Sequence, residues 1–338
     1  MITKKLDAVN CREIAVDTAA EILNSGGIVA MPTETVYGLA ASAYDEQAIA
    51  NVFKAKGRPQ DNPLIVHISD LEMLQDVACD IPDKAYVCAE HFWPGPFTMI
   101  LPKGDKIAKC VSGGLDTVAV RMPSNKTARD IIAKSGLPLA APSANTSGKP
   151  SPTTSEHVIA DLDGKIDAVV MGGECEIGVE STVITLVGTP RLLRPGAVTV
   201  EQLRTILPDL IVDDAVLKQL GEKEKAASPG MKYKHYAPKT ETFLVEGCSR
   251  SFVEFVNGKS DCVAVCFEEE YYSINTKKIS YGSKRNPKTL AKNVFAVLRE
   301  VDGLDAKCAY VHAPSKDGVG LAVYNRLVRA AAFRVIEL

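Results

Sequence analysis

The chain has 338 residues, about twice the length of a typical domain, so two domains are expected. Hydrophobic residues make up 46% of it and charged residues 24%, an ordinary globular balance that excludes wholesale disorder. Its 39 lysines and arginines are offset by 42 acidic residues, and a net charge of -3 removes the simplest electrostatic argument for a general nucleic-acid coat protein.

Targeting signals and disulfides are not expected. The N-terminus lacks the apolar run of a signal peptide, and no window approaches the ~20 apolar residues of a membrane span. The nine cysteines are an odd number and form no C-x-x-C pair. We therefore expect reduced, mostly buried thiols in a cytoplasmic protein that has no membrane partner. A monomer is also expected.

The first 211 residues predict helices that alternate with short apolar strands. An apolar face at Val16, Ala19, Ala20 and Leu23 indicates the first helix, which Gly26 ends. Further helices are predicted over 46–55, 84–92, 126–134 and 200–206, and strands over 28–31, 64–68, 97–101, 117–121, 168–171 and 182–186. The unequal strand spacing and the Pro-rich connections favour a twisted mixed sheet over a regular doubly wound one.

The composition changes after about residue 211. A polar, charged stretch leads into GMKYKHYAPK, which carries three lysines and no acid. Strands are then predicted at 243–245, 263–267, 279–281 and 309–311, and helical stripes at 290–301 and 324–331. The predicted segments are a large α/β domain over 1–211, a linker over 212–238 and a smaller, Rossmann-like α/β domain over 239–338.

Common catalytic motifs are missing from the sequence. It contains no P-loop, no H-E-x-x-H and no G-x-S-x-G. Gly318 and Gly320 match half of a dinucleotide-binding fingerprint, and a tight strand-to-helix turn is the simpler interpretation. The five histidines lack metal-ligand spacing, so no protein-held metal is predicted.

Two polar clusters follow apolar segments in the first part of the chain. PTETVYG (residues 32–38) is placed to bind a small polar ligand or to begin a helix. In KAKGRPQDNP (residues 54–63), Lys56 and Arg58 bracket a glycine, and both side chains could converge on one phosphate. A solvated surface run is the alternative for the second cluster.

Two more clusters come later. In DTVAVRMP (residues 116–123), Arg121 needs an anionic partner, which a structural salt bridge or a substrate carboxylate would supply. APSANTSG (residues 141–148) could cradle phosphates or a nucleobase, or form a plain turn-rich loop. Together, the hydroxyl-rich loops and four cations indicate a nucleoside triphosphate and a small carboxylate as ligands. The cations are Lys56, Arg58, Arg121 and Arg194.

These clusters, with other short motifs, resemble those of one family. The YrdC-like domain has, in the same order, motifs similar to PTETVYGL, KAKGRPQDNPLIVHI, WPGPFTMIL, VAVRMP, APSANTSGKPSPT, ESTVI and LLRPG. SPGMKYKHYAP and GLAVYNRLVRAAA resemble segments of the long, two-domain threonylcarbamoyl-AMP synthases. The resemblance is close over residues 10–238 and looser over the last hundred residues, and it implies that the first domain is YrdC-like.

The resemblance implies a nucleotidyltransferase that forms L-threonylcarbamoyl-AMP and pyrophosphate from L-threonine, bicarbonate or CO2, and ATP. A downstream complex would transfer the threonylcarbamoyl group to adenosine 37 of tRNAs that read codons beginning with A, giving N6-threonylcarbamoyladenosine. The threonine carbamate would attack the α-phosphorus of ATP, so no protein nucleophile is needed. Mg2+ would be held mainly by the triphosphate and waters.

The resemblance also assigns site residues by motif. The nucleotide-binding set is Lys56, Arg58, Asn62, Thr117, Ser143, Asn145, Ser151, Arg194 and Tyr236. The threonine-binding set is Thr35, His67, Arg121 and Ser181, in which Arg121 faces the amino-acid carboxylate. Lys56 and Arg58 are the expected catalytic pair, because their charge would stabilise the departing pyrophosphate. Residues 228–238 are expected to form a lid over the active site, and Tyr236 to reach the nucleotide.

Two alternative functions remain open at this stage. A non-enzymatic RNA-binding module would use a concave basic surface, but the net charge and the lack of interleaved aromatic residues argue against it. A carbamoyl-AMP-forming maturation protein would typically add zinc-finger and acylphosphatase-like domains, and this chain has no C-x-x-C pair.

Overall fold

The structure is a computed structural model that describes residues 2–218 and 236–338. The strands of the first range are β1 (Lys4–Asp7), β2 (Val29–Met31), β3 (Gly38–Ser42), β4 (Ile65–His67), β5 (Phe97–Pro102), β6 (Thr117–Arg121), β7 (Leu139–Ala140), β8 (Ala168–Met171), β9 (Thr182–Thr185), β10 (Arg191–Arg194) and β11 (Ile211–Val212). Its helices are α1 (Arg12–Asn24), α2 (Glu46–Lys56), α3 (Leu71–Val77), α4 (Asp83–Phe92), α5 (Lys126–Ser135), α6 (Ser155–Leu162) and α7 (Val200–Ile206).

The eleven strands of this first described range form one mixed sheet, in the order β1-β8-β2-β3-β7-β4-β6-β5-β9-β10-β11. β4 and β6 run parallel, whereas β5 and β6 run antiparallel. The twisted mixed sheet predicted from the sequence is therefore confirmed. Within residues 2–218, the strands and helices predicted by range each occur within one residue at either end.

Several short elements were not predicted. β3 is built from small side chains (GLAAS), and β7 has only two residues, so neither carries a readable hydrophobic period. Both strands are nevertheless buried, because β3 pairs with β2 and β7, and β7 pairs with β4. Tertiary pairing, rather than local propensity, determines these strands.

Local capping rules fix the end of α2 beside Lys56 and Arg58, the K-x-R motif. At its start, the Asp45 carboxylate accepts hydrogen bonds from the backbone N–H groups of Gln47 and Ala48. At its end, Gly57 adopts the left-handed conformation with φ 62°. The helix therefore stops directly after Lys56, and the chain turns into a loop.

The second described range contains a smaller parallel sheet. Its elements are β12 (Glu241–Glu246), α8 (Ser249–Asn257), β13 (Cys262–Cys266), β14 (Lys277–Ser280), α9 (Pro287–Glu300), β15 (Cys308–His312), α10 (Gly318–Ala330) and β16 (Val335–Glu337). The strand order is β14-β13-β15-β12-β16, and every pair is parallel. α8 packs on one face of this sheet, and α9 and α10 pack on the other. This is the expected smaller α/β domain.

The two domains share buried contacts. Val36 and Val179 of the first domain belong to the same hydrophobic core as Phe295 on α9. Gly178 lies against the backbone of α9, where a Cβ atom on it would be 2.4 Å from the carbonyl oxygen of Lys292. The described residues contain no helix that is long and apolar enough to cross a membrane.

The close approach at Gly178 gives a stability prediction. Gly178→Ala would introduce strain at φ 82° and a clash with α9, whereas Gly188→Ala would introduce only the strain, because its φ is 77° and no atom lies near its Cβ position. Left-handed strain costs about 1–2 kcal/mol, and overpacking adds about 1–3 kcal/mol. In urea denaturation, we expect Gly178→Ala to lower the free energy of unfolding clearly more than Gly188→Ala. Equal losses would contradict the close interdomain packing.

Candidate active site

A cleft opens where β4 and β6 end, near the middle of the larger sheet. Its walls are the loop after β2, the loop after β7 and the chain that enters β9. The lining residues are Thr33, Thr35, Val36, Gly38, Lys56, Arg58, Ile65, His67, Arg121, Ala141, Pro142, Ser143, Asn145, Ser147, Gly148, Lys149, Ser151, Glu180, Ser181, Arg194 and Tyr236. Eleven of the thirteen predicted site residues are among them.

Arg121, the last residue of β6, is 3% exposed and contacts the loop after β2. Its Nη1 donates a hydrogen bond to Thr35 Oγ1 at 2.9 Å, and its Nη2 lies 2.6 Å from Glu34 Oε1. Its Nε donates to the carbonyl oxygen of Gly95 at 3.3 Å. Arg121 thus has the structural salt bridge that the sequence left open, and it also lines the cleft.

Strand pairing brings the other predicted threonine-binding residues to Arg121. His67 on β4 lies opposite Arg121, and Thr98 on β5 lies opposite it on the other side. The Thr98 hydroxyl is 2.7 Å from Ser181 Oγ. The structure therefore gathers Thr35, His67, Arg121 and Ser181 at one end of the cleft.

Two titratable groups at this end have shifted pKa values. Burial alone would raise the pKa of Glu34, but the adjacent Arg121 charge outweighs it and holds that pKa below its ordinary value. Burial, aided by the Arg121 charge, lowers the pKa of His67 to about 3. His67 is therefore neutral near pH 7, and its Nδ1 donates to the carbonyl oxygen of Ile65 at 3.2 Å.

At the other end, Lys56 organises the loop after β7. Its Nζ donates hydrogen bonds to the carbonyl oxygens of Ser143 and Asn145, the latter at 2.6 Å, and lies 3.5 Å from Asn145 Oδ1. Ser143 Oγ donates to the same Oδ1 at 2.6 Å. Burial and the nearby Arg58 charge lower the pKa of Lys56 well below its ordinary value, and the negative charge of Asp161 offsets only part of that effect.

Arg58, the other cation of the K-x-R motif, also contacts backbone carbonyl oxygens. Arg58 is half-buried, and its Nη2 donates to the carbonyl oxygen of Pro63 at 3.2 Å and lies 3.5 Å from that of Asn62. The side chains of Asn62 and Thr117 do not line the cleft. Thr117 begins β6, at the end of the strand opposite Arg121. Their nucleotide contacts stay predictions.

The buried carboxylate of Glu180 contacts Ser151, and the next residue, Ser181, contacts Arg194. Ser151 Oγ donates to Glu180 Oε1 at 2.6 Å, and Arg326 of the smaller domain lies 2.6 Å from Oε2. Arg194 donates to the carbonyl oxygen and the hydroxyl of Ser181, both at 3.1 Å. Burial would raise the pKa of Glu180, but Arg326 and Arg194 keep it below its ordinary value.

Tyr236 lines the cleft from the start of the second described range. Its ring centroid is 5.1 Å from that of Phe295 and 5.8 Å from the guanidinium carbon of Arg326. The next residue, Ala237, donates its backbone N–H to the carbonyl oxygen of Gly148. Residues 228–235 of the predicted lid lie outside the described residues.

The two carboxylates were missed as site residues by the sequence analysis. Residues 32–38 connect β2 to β3 without a helix, so Glu34 is not part of a helix start. Glu34 and Glu180 instead compensate buried arginines. A signal was present, because a buried arginine needs an acidic partner and PTETVYGL and ESTVI each contain one acid.

The residues at the cleft do not fit a protein-held metal site. Both carboxylates are paired with arginines. Across residues 2–218 and 236–338, no group of three or more histidine, cysteine, aspartate or glutamate side chains could hold a metal ion.

Two family models match consecutive parts of the chain. The Sua5/YciO/YrdC model, described as "Telomere recombination", matches residues 21–196. The model described as "Threonylcarbamoyl-AMP synthase, C-terminal domain" matches residues 198–332. Together they account for both the larger mixed sheet and the smaller parallel sheet.

Full-length relatives carry the same name as the second model. The threonylcarbamoyl-AMP synthase of Pyrococcus abyssi is 43% identical over 95% of this chain and 95% of its own length. That of Bacillus subtilis is 44% identical over 98% of this chain and 97% of its own length. A crystal structure of P. abyssi Sua5 complexed with L-threonine superposes with a TM-score of 0.91 and 40% identity, covering 100% of both chains.

The low pKa of His67 predicts a pH-dependent stability. Between about pH 3 and pH 6.5 the unfolded chain binds a proton at His67 that the folded protein does not, so folding stability falls as the pH falls through this window. His67→Asn removes this contribution. Between pH 7.5 and pH 5.0, the wild type should lose about 2 kcal/mol more unfolding free energy than the variant. Parallel losses in urea denaturation would contradict a neutral buried imidazole.

Proposed function

The chain belongs to the threonylcarbamoyl-AMP synthase family, and we propose that its cleft binds L-threonine beside ATP and joins them through a carbamate. The family reaction yields L-threonylcarbamoyl-AMP, and the chain is an enzyme of this class. One observation carries the proposal for the site: the predicted threonine and nucleotide residues line a single cleft, where Ser181 of one set accepts a hydrogen bond from Arg194 of the other.

The threonine end is suited to a small zwitterion. Arg121 provides a fixed cation for the carboxylate, and the hydroxyls of Thr35 and Ser181 provide donors and acceptors at its sides. His67 adds a neutral imidazole whose Nε2 is an acceptor, because Nδ1 carries the proton. A neutral histidine avoids repulsion of the ammonium group of threonine.

The nucleotide end is suited to a polyanion. Arg58 and Arg194 bring positive charge to a loop of serine hydroxyls, and Lys56 holds this loop in place. The threonine ammonium would first lose a proton to solvent, the free amine would add to CO2 and release a second proton, and a carbamate oxygen would then attack the α-phosphorus with pyrophosphate as the leaving group. The cations would stabilise the charge that develops on pyrophosphate.

The family reaction implies the other substrates and the receiver of the product. Bicarbonate or CO2 supplies the carbamate carbon, and Mg2+ enters as part of the MgATP substrate. As the family resemblance implies, a complex that modifies adenosine 37 of tRNA would receive the product, and transfer must be prompt because a mixed anhydride decomposes in water. We further propose that residues 1–211 are the catalytic domain, 212–238 the linker and lid, and 239–338 the second domain, and that the enzyme is a cytoplasmic monomer.

The first test is release of pyrophosphate from ATP with Mg2+ and bicarbonate. Release should require both L-threonine and bicarbonate, since the carbamate is the nucleophile, and serine serves as the control amino acid. A mass spectrum of the product should show threonylcarbamoyl-AMP. ATP turnover that is indifferent to threonine would favour a carbamoyl-AMP-forming protein, and RNA binding without ATP use would favour a binding module.

A second prediction concerns Arg121. Arg121→Lys keeps the charge but cannot hold Thr35 and Glu34 at once, since lysine lacks the planar fork of arginine. The KM for L-threonine should rise by about tenfold or more, because hydrogen bonds to charged groups contribute about 1.5–3 kcal/mol. Arg191→Lys is the control, because Arg191 forms a half-exposed pair with Asp213. An unchanged KM in the first variant would exclude Arg121 from the threonine site.

A further inference from the structure

The smaller domain provides Arg326, which has no exposed surface and contacts the back of the cleft. It lies on α10, and its Nε is 2.6 Å from Glu180 Oε2. Its Nη2 is 3.4 Å from the carbonyl oxygen of Glu180, and its Nη1 donates to the carbonyl oxygen of Pro195 at 3.0 Å. One guanidinium therefore contacts two separate loops of the larger domain.

Each of these contacts is adjacent to a residue that lines the cleft. Glu180 precedes Ser181 in the chain and accepts the hydrogen bond of Ser151. Pro195 follows Arg194 directly. The Arg326 guanidinium also lies against the ring of Tyr236. Of the cleft residues, Glu180 and Tyr236 thus contact Arg326 directly, and Ser151, Ser181 and Arg194 are each one further bond or contact away.

A second arginine of the smaller domain contacts a different part of the cleft wall, the loop that contains Ser151. Arg299 on α9 donates through Nη2 to the carbonyl oxygen of Pro150 at 2.5 Å and to Asp161 Oδ2 at 2.9 Å. Asp161 in turn accepts from Lys149, a cleft residue, at 2.8 Å. The Arg299 side chain is 14% exposed, so this contact lies near the edge of the interface.

We propose that Arg326 is a positioning residue through which the smaller domain fixes the nucleotide end of the cleft. Arg299 supports the loop of residues 143–151 at that end. The inference rests on the proposed function, because residues 143–151 are its nucleotide loop. It gives the smaller domain a role in ATP binding although the cleft motifs lie in the larger domain. The buried pair needs both charges, since removal of one partner leaves the other uncompensated.

Two variants and one control test this role. Arg326→Lys keeps the charge but cannot contact Glu180 and Pro195 together. Arg299→Gln removes the hydrogen bond to the carbonyl oxygen of Pro150, and this position is partly exposed. Arg334→Lys is the matched control in the same domain, because Arg334 forms an exposed pair with Glu241 away from the cleft.

Three measurements are made on each full-length variant. Pyrophosphate release gives the KM for ATP and for L-threonine, hydrogen exchange follows residues 143–153 in the ligand-free protein, and urea denaturation gives stability. The KM for ATP should rise about tenfold in both variants, equivalent to about 1.4 kcal/mol. Exchange of the loop should accelerate while the core strands stay protected. For Arg299→Gln the KM for L-threonine should stay within about twofold, and Arg334→Lys should match the wild type.

The proposal is overturned if loop exchange and the KM for ATP match the wild type, or if exchange accelerates equally throughout the chain. If Arg326→Lys does not fold, the Arg299→Gln result decides, since its side chain is not fully buried. Failure of the proposed function can be distinguished from failure of this proposal, because pyrophosphate release by the wild type would then not depend on threonine. Exchange in the ligand-free protein would still decide whether these arginines position the loop.

Discussion

The cleft depends on buried guanidinium groups that must be compensated within the protein. Arg121, Arg194 and Arg326 are 3%, 6% and 0% exposed. Placing such charges away from water is unfavourable by several kcal/mol each unless acids or carbonyl oxygens surround them. Glu34 and Glu180 supply the acids, and the backbone carbonyls of Gly95, Ser181 and Pro195 supply further acceptors. The loops around the cleft are therefore held in place by the same interactions that keep its positive charge buried.

The mixed sheet is what places this charge at one point. β4 and β6 are parallel neighbours, so their last residues, His67 and Arg121, lie side by side. β5 runs antiparallel to β6 and brings Thr98, and through it Ser181, to the same level. In a regular doubly wound sheet the strands are parallel, so only their carboxyl ends would lie at this edge. Because β5 is antiparallel to β6, residues from distant parts of the sequence can surround one small ligand.

The sequence was sufficient for elements with a clear period and for residues within recognisable motifs. The strand 117–121 and the helix 200–206 were predicted with their observed bounds, because apolar patterning and caps agree there. β3 could not be predicted, since small residues carry no period and its pairing partners are distant in sequence. Likewise, the pairing of Glu180 with Arg326 joins residues 146 positions apart, which no local pattern encodes.

The pairing of Glu180 with Arg326 also explains why the smaller domain contains a buried arginine. A buried ion pair is often no more stabilising than apolar side chains of similar volume, so stability alone does not account for it. An apolar side chain could pack against Tyr236, but it could not donate to Glu180 and Pro195 at once. The directional hydrogen bonds of a guanidinium fix the relative position of two loops, whereas apolar packing tolerates sliding. Position, rather than stability, is therefore what Arg326 adds to the cleft.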